Sequence, residues 1–227
     1  MIVLVGASGG IGKEIVGHLA SLDSVVATYN SHKLKLSSKR IKQIKLNLLS
    51  KKEVDAFAVS LARSKQKITF INLAALSPDN LLVQTTDAVW ERTFRINVHS
   101  TLSILRHILP KMVQDKWGRV ILTSSVVAEN GVVGAGAYSS SKSALLGLNK
   151  TIALEYGRFH ITSNLLTLGY FDKGLIETLP ANAKTEILQR ISCRKFGSVK
   201  DIFEAIRFIL KTEYLNGSVI RLDGGLT

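Results

Sequence analysis

Short apolar runs alternate along the chain with longer stretches in which apolar residues return every three or four positions. The runs at residues 2–5, 25–29, 44–46, 69–72, 119–123, 162–167 and 218–222 are rich in valine, isoleucine, leucine and threonine and read as strands. The longer stretches at 11–21, 52–64, 87–107, 138–156 and 201–210 carry the helical period. Runs such as residues 1–5 and 120–122 have no polar side, so the sheet they build needs cover on both faces. Strands alternating with helices predict an α/β fold, a doubly wound parallel sheet of seven strands with helices on both faces. No proline-rich linker, low-complexity tract or internal repeat interrupts the pattern, and a single domain over residues 1–227 is expected.

Composition narrows the class. With 227 residues at 46% hydrophobic, the chain can bury one sizeable core. Its one cysteine, Cys193, leaves no partner for an intramolecular disulfide, and no cysteines and histidines have metal-ligand spacing, so no metal is expected. The five histidines, His18, His32, His99, His107 and His160, read as surface or packing residues. The opening apolar stretch breaks at once into glycines, unlike a signal peptide, and no stretch reaches the roughly 18 apolar residues of a membrane span. A soluble, cytoplasmic protein is expected, with no membrane contact. Lys and Arg number 30 against 17 Asp and Glu, a formal +13 that concentrates anions near the surface. The basic residues are spread along the chain without a nucleic-acid motif, so nucleic acid is not the expected partner.

Gly6, Gly10 and Gly12 fall between the first strand and the first helix. An isolated match could be an ordinary glycine-rich turn, or it could bring backbone close to a pyrophosphate resting on the positive end of the helix. A Rossmann-type dinucleotide site has that form. The second strand is followed by Asn30, Ser31, His32 and Lys33, with no acid to bond free ribose hydroxyls and repel a ribose phosphate. That favours NADP(H) over NAD(H), with Asn30 and Ser31 near the phosphate.

Tyr138 and Lys142 stand four apart in a helical stretch and so share one face. Such a pair could simply be solvated. It could also be chemical, because a nearby ammonium favours the phenolate, and a phenol tuned in this way can exchange a proton with a carbonyl or alcohol.

Together these motifs resemble the short-chain dehydrogenase/reductase family, and the resemblance covers essentially the whole chain. The segment from Gly6 through Ser8, Gly9, Gly10 and Ile11 to Gly12 matches the family's cofactor loop, and Tyr138 and Lys142 match its Y-x-x-x-K. Ser125, thirteen residues before the tyrosine, matches the serine that holds the substrate oxygen. Strand alternation turns its neighbour Ser124 away. Asn97 matches the asparagine that bends the long fourth helix and completes a proton path. By resemblance Ser125, Tyr138, Lys142 and Asn97 are the catalytic set, with Tyr138 as acid/base and Lys142 also holding the nicotinamide ribose. The C-terminal NGSVIRLDGGLT is similar to a tail that packs between subunits in relatives, so a homotetramer is implied.

Departures from the family pattern fall in the cofactor contacts. Asn72, Leu73, Ala74 and Ala75 stand for N-N-A-G, Asn47 and Leu48 replace an aspartate that commonly contacts adenine, and Leu168 and Gly169 replace P-G. The usual threonine beyond has no counterpart among Tyr170, Phe171, Asp172 and Lys173. Asn47, Leu48, Asn72, Ala74 and Gly169 remain the expected dinucleotide contacts at these places.

The segment 170–195 contains Phe171, Leu175, Ile176, Leu179, Ile187, Leu188 and Ile191, spaced for one or two amphipathic helices. They could close over the site as a substrate lid or pack on the body of the protein. Within the family the similarity is nearest to the 3-oxoacyl-acyl-carrier-protein reductases. That resemblance implies NADPH-dependent reduction of a 3-oxoacyl thioester on an acidic acyl carrier protein, part of fatty acid biosynthesis, with Lys116 at one carrier-binding position and Arg158 one residue from another. Two other readings stay open: a reductase or dehydrogenase of a different small carbonyl or alcohol, such as a sugar, polyol or tailoring intermediate, and a non-catalytic dinucleotide-binding protein.

Overall fold

The structure, a computed structural model, describes residues 1–36 and 38–226; Ser37 and Thr227 lie outside the described residues, as does the side chain of Leu175, one of the expected lid residues. The chain runs β1 (Ile2–Val5), α1 (Gly10–Leu22), β2 (Val25–Tyr29), β3 (Ile41–Lys45), α2 (Lys51–Ala62), β4 (Thr69–Asn72), α3 (Asp87–Phe94), α4 (Ser100–Gln114), β5 (Gly118–Ser125), α5 (Val127–Asn130), α6 (Gly136–Tyr156), β6 (Ile161–Leu168), α7 (Ala181–Arg190), α8 (Val199–Lys211) and β7 (Val219–Leu222). All seven strands pair in parallel, in the order β3-β2-β1-β4-β5-β6-β7. This is the single doubly wound Rossmann domain that the alternating pattern predicts.

Alternation along β1 sends Ile2 and Leu4 to one face of the sheet and Val3 and Val5 to the other. Ile15 and Leu19 of α1 with Ile202 and Ile206 of α8 cover the first face; Phe57 of α2, Ile104 and Ile108 of α4 and Leu145 of α6 cover the second. Each such side chain contributes roughly 1.5–3 kcal/mol when fully buried. Among the described residues, no helix is long and apolar enough to cross a membrane.

Most boundaries shift by one or two residues, and two elements depart further from the periodicity. β3 begins at Ile41, earlier than expected, because an edge strand tolerates exposed Lys42 that disguises the pattern. The helix expected over 87–107 is interrupted by a five-residue π-helical turn, Arg95–His99. It then continues past the expected end to Gln114 through Pro110, whose ring faces solvent while buried Leu109 and Met112 hold the next turn on the core. From β1 the chain winds to β2 and β3 on one side, then crosses back to β4 on the other, and ligands bind outside the carboxyl ends of strands at such a reversal.

Candidate active site

At that reversal the glycine turn is tightly built. Gly6 takes φ +86°, and a Cβ there would lie 2.5 Å from the Ala74 nitrogen. At Gly12 a Cβ would run into the Gly6 carbonyl oxygen and stand 2.8 Å from Ala7 Cα. These two glycines let the turn, the loop after β4 and α1 close on one another. The Gly6 N–H donates to Thr28 Oγ1 at 3.2 Å and the Ala7 N–H to the Thr28 carbonyl at 3.0 Å, so β2 steadies the turn. α1 starts without a side-chain cap and with no acid in its first turn, which leaves its leading N–H groups for an anion. That donor set fits the diphosphate of a dinucleotide.

The four residues of the expected catalytic set lie around the ends of the neighbouring strands. Ser125 closes β5, Tyr138 and Lys142 lie one turn apart near the start of α6, and Asn97 sits in the π-helical turn. All four are buried. Ser125 Oγ accepts from the Val127 N–H at 3.3 Å and lies beside the Tyr138 phenol, whose charged form it favours. Lys142 Nζ donates to the Thr123 carbonyl at 2.8 Å and stands 5.9 Å from the centre of the tyrosine ring. Ser124 turns away as strand alternation requires, donating to the Lys142 carbonyl at 3.1 Å.

Asn97 connects the pieces. Its Oδ1 accepts from the Leu76 N–H at 2.7 Å, and its Nδ2 donates to the Leu76 carbonyl at 3.0 Å and to Ser141 Oγ at 2.8 Å. Ser141 in turn donates to the Tyr138 carbonyl at 2.7 Å. The π-helical turn therefore presents an amide that ties the loop after β4 to the helix carrying the tyrosine and lysine. Such turns recur at functional sites.

Electrostatics differ from the simple sequence picture. Burial pushes the Tyr138 phenol up, Ser125 offsets part of this by hydrogen bonding, and Tyr170 adds to the rise. Burial lowers Lys142 to about 8. The expected lowering of the tyrosine by the lysine is not present in the chain by itself, because desolvation dominates both groups and the ammonium is turned to a carbonyl.

The remaining expected contacts fall into two kinds. Asn30 and Ser31 are exposed beyond β2 with Lys33, free to meet a ligand. Asn72 is spent on structure: its Oδ1 accepts from the Ala74 N–H at 2.9 Å and its Nδ2 donates to Thr101 Oγ1 at 2.6 Å. Asn47 Oδ1 accepts from the Leu49 N–H at 3.0 Å, and Gly169 admits the Asp223 backbone, whose Cα would be 2.7 Å from a Cβ.

Two features were not read from the sequence. A Cβ on Gly10 would lie 2.5 Å from Gly174 Cα and 2.9 Å from Glu177 Oε2, so the segment after β6 sits against the mouth of α1 with a carboxylate beside it. Lys173 Nζ pairs with Glu14 Oε1 of α1 at 3.0 Å. Gly174, at φ +87° within an apolar segment, was the available signal. Second, Leu81, Leu82 and Val83 and, across from them, Val132 and Val133 are exposed on two loops joined by the Asn80 N–H to Gly134 carbonyl bond of 2.9 Å, just ahead of α6. Val83 is 93% exposed and Val133 84%, an apolar rim of a kind that marks binding surfaces.

Comparison with known proteins agrees with this geometry. The family model described as short chain dehydrogenase matches residues 1–184. Nodulation protein G of Rhizobium sp. (strain N33) is 27% identical over 233 residues, covering 99% of this chain and 95% of the relative. The 3-oxoacyl-(acyl-carrier-protein) reductases of Buchnera aphidicola subsp. Schizaphis graminum (strain Sg) and Rickettsia conorii (strain ATCC VR-613 / Malish 7) are each 29% identical, with 99% of this chain and 96% and 95% of the relatives covered.

Proposed function

The chain belongs to the short-chain dehydrogenase family and is an NAD(P)-dependent oxidoreductase, and from that premise we propose that it reduces a 3-oxoacyl thioester, carried on an acyl carrier protein, with NADPH. The observation that carries the substrate class is the apolar rim of Leu82, Val83 and Val133 at the start of the Tyr138 helix, which suits an acyl chain better than a sugar. The bound dinucleotide supplies the hydride. Ser125 and Tyr138 hold the carbonyl oxygen, and Tyr138, kept protonated by burial, transfers its proton there. Lys142 holds the nicotinamide ribose, and Asn97 keeps the lysine and tyrosine helix in register with the loop after β4. Gly6, Ser8, Gly9, Gly10, Ile11 and Gly12 receive the diphosphate. Residues 170–195 form the lid: Phe171, Ile176 and Ile191 anchor it on the body, and Glu177 leaves the mouth of α1 when the diphosphate arrives, since like charges repel.

The preference for NADPH rests on the absence of a carboxylate after β2, where Asn30, Ser31 and Lys33 offer donors and positive charge to a phosphate. The carrier rests on the +13 charge and on Lys116 and Arg158, although both stand at the end of the sheet away from Ser125, just before β5 and just after α6. Steady-state assays are expected to show roughly tenfold preference for NADPH, and a preference for carrier-bound over free thioester that shrinks with salt, as screening shortens from about 8 Å at physiological ionic strength. The double variant Lys116→Glu, Arg158→Glu is expected to raise KM for the carrier-bound substrate alone. Equal losses on free and carrier-bound substrate would sink the carrier reading, and turnover of free ketones alone would replace the thioester with a smaller carbonyl.

We also propose a homotetramer assembled through α4, α6 and the C-terminal tail; Leu154 on α6 is 85% exposed and Leu146 is 44% exposed. Light scattering at micromolar concentration is expected to give four times the chain mass, and a monomer would overturn the assembly.

A further inference from the structure

At the end of the sheet away from the glycine turn, β5 and β6 begin side by side with Arg119 and Thr162 as register partners. Ser125 lies six residue steps along the strand from Arg119, about 20 Å away. The Arg119 guanidinium is buried, at 4% exposure, and stacks 4.8 Å from the centre of the Trp117 ring. One edge of its fork is fully used, because Nη1 donates to the carbonyls of Gly118 at 2.9 Å and His160 at 3.0 Å. The other edge is not. Nε has no hydrogen-bond partner, and Nη2 faces only the Glu213 carboxylate at 3.6 Å, on a side chain 86% exposed.

Thr162 Oγ1 is also buried without a partner, so two of the three such side-chain atoms among the described residues fall at one place. They border a cleft of about 600 Å³ also lined by Lys116, Trp117, His160 and Tyr214. Lys116 and His160 take φ of 48° and 59°, a left-handed conformation that non-glycine residues hold only where the surroundings enforce it. A buried cation with half its donors unmade is costly unless an anion completes it.

We propose that this cleft is a second, non-catalytic site that binds a phosphate group. The Nε and Nη2 edge is the one that grips two oxygens side by side, and the Thr162 hydroxyl can donate to a third oxygen, which a tetrahedral anion has and a carboxylate lacks. The cationic lining favours the more highly charged anion. Neither the nicotinamide reading nor the carrier reading is needed for this site.

The test is a titration of inorganic phosphate into the full chain saturated with its dinucleotide, so that the cofactor's own phosphate positions are filled, followed by calorimetry and by tryptophan emission. One phosphate per chain is expected, held roughly tenfold more tightly than acetate. Thr162→Val is expected to weaken phosphate roughly fivefold, since one hydrogen bond is lost, and Glu213→Gln to tighten it roughly threefold by removing a competing charge. Arg119→Lys keeps the charge and loses the fork, which weakens phosphate roughly tenfold; should that variant fail to fold, Thr162→Val carries the test. Absence of saturable binding, or binding that Thr162→Val and Glu213→Gln leave unchanged, overturns the site.

Discussion

Replacing Tyr138 with phenylalanine is expected to lower kcat by about a thousandfold, within the range of general acid catalysis, while dinucleotide affinity stays within about twofold. The phenol is buried beside Ser125, so its loss removes the proposed proton donor and little packing. Burial raises the phenol, so wild-type Tyr138 is protonated throughout neutral pH, which is the state needed to reduce a carbonyl. Turnover above a tenth of wild type would mean that another group is the principal acid.

The second large effect separates activity from stability. Lys142→Met is expected to cost at least about a hundredfold in kcat, because the ammonium proposed to hold the ribose, 5.9 Å from the centre of the tyrosine ring, is gone. The Tm is expected to move little. Burial lowers Lys142 from 10.5 to about 8, which places the cost of burying its charge near 3 kcal/mol. Against that relief, the variant leaves the Thr123 carbonyl without its donor, a loss of about 1–3 kcal/mol. The sign follows from the lowered value. Below about pH 8 the folded chain bears the full cost of the buried ammonium; as pH rises towards the unfolded value of 10.5 that cost fades, and with it any gain from methionine. Wild-type reduction should likewise decline above about pH 8, where the ammonium loses its proton while the tyrosine keeps its own. Calorimetry beside steady-state kinetics checks both halves; a Tm lower by ten degrees or more would make Lys142 a structural residue.

Much of this site was legible because its signals are local. Tyr138 and Lys142 are one helical turn apart, Ser125 and Ser124 are sorted by strand alternation, and the glycines stand where a strand turns into a helix. What local patterns could not carry is the approach of distant segments. Glu177 comes beside Gly10 only because the segment after β6 reaches back to that turn past the two intervening strands, and the orphaned edge of Arg119 depends on which carbonyls its Nη1 reaches. Leu82, Val83 and Val133 resemble core residues in the sequence, and their exposure emerges only when two loops lie together ahead of α6. The π-helical turn at Asn97 was implied by resemblance as a bend, yet its hydrogen bonds to Leu76 and Ser141 are visible only in three dimensions.

The most direct measurement of the proposed chemistry follows NADPH absorbance with a 3-oxoacyl thioester, wild type beside Tyr138→Phe, with the acyl product quantified in the same samples. The expected result is NADPH oxidation matched one for one by 3-hydroxyacyl product in the wild type and nearly absent in the variant. Dinucleotide that binds but is never oxidised, with any 3-oxoacyl thioester or free ketone, would contradict it.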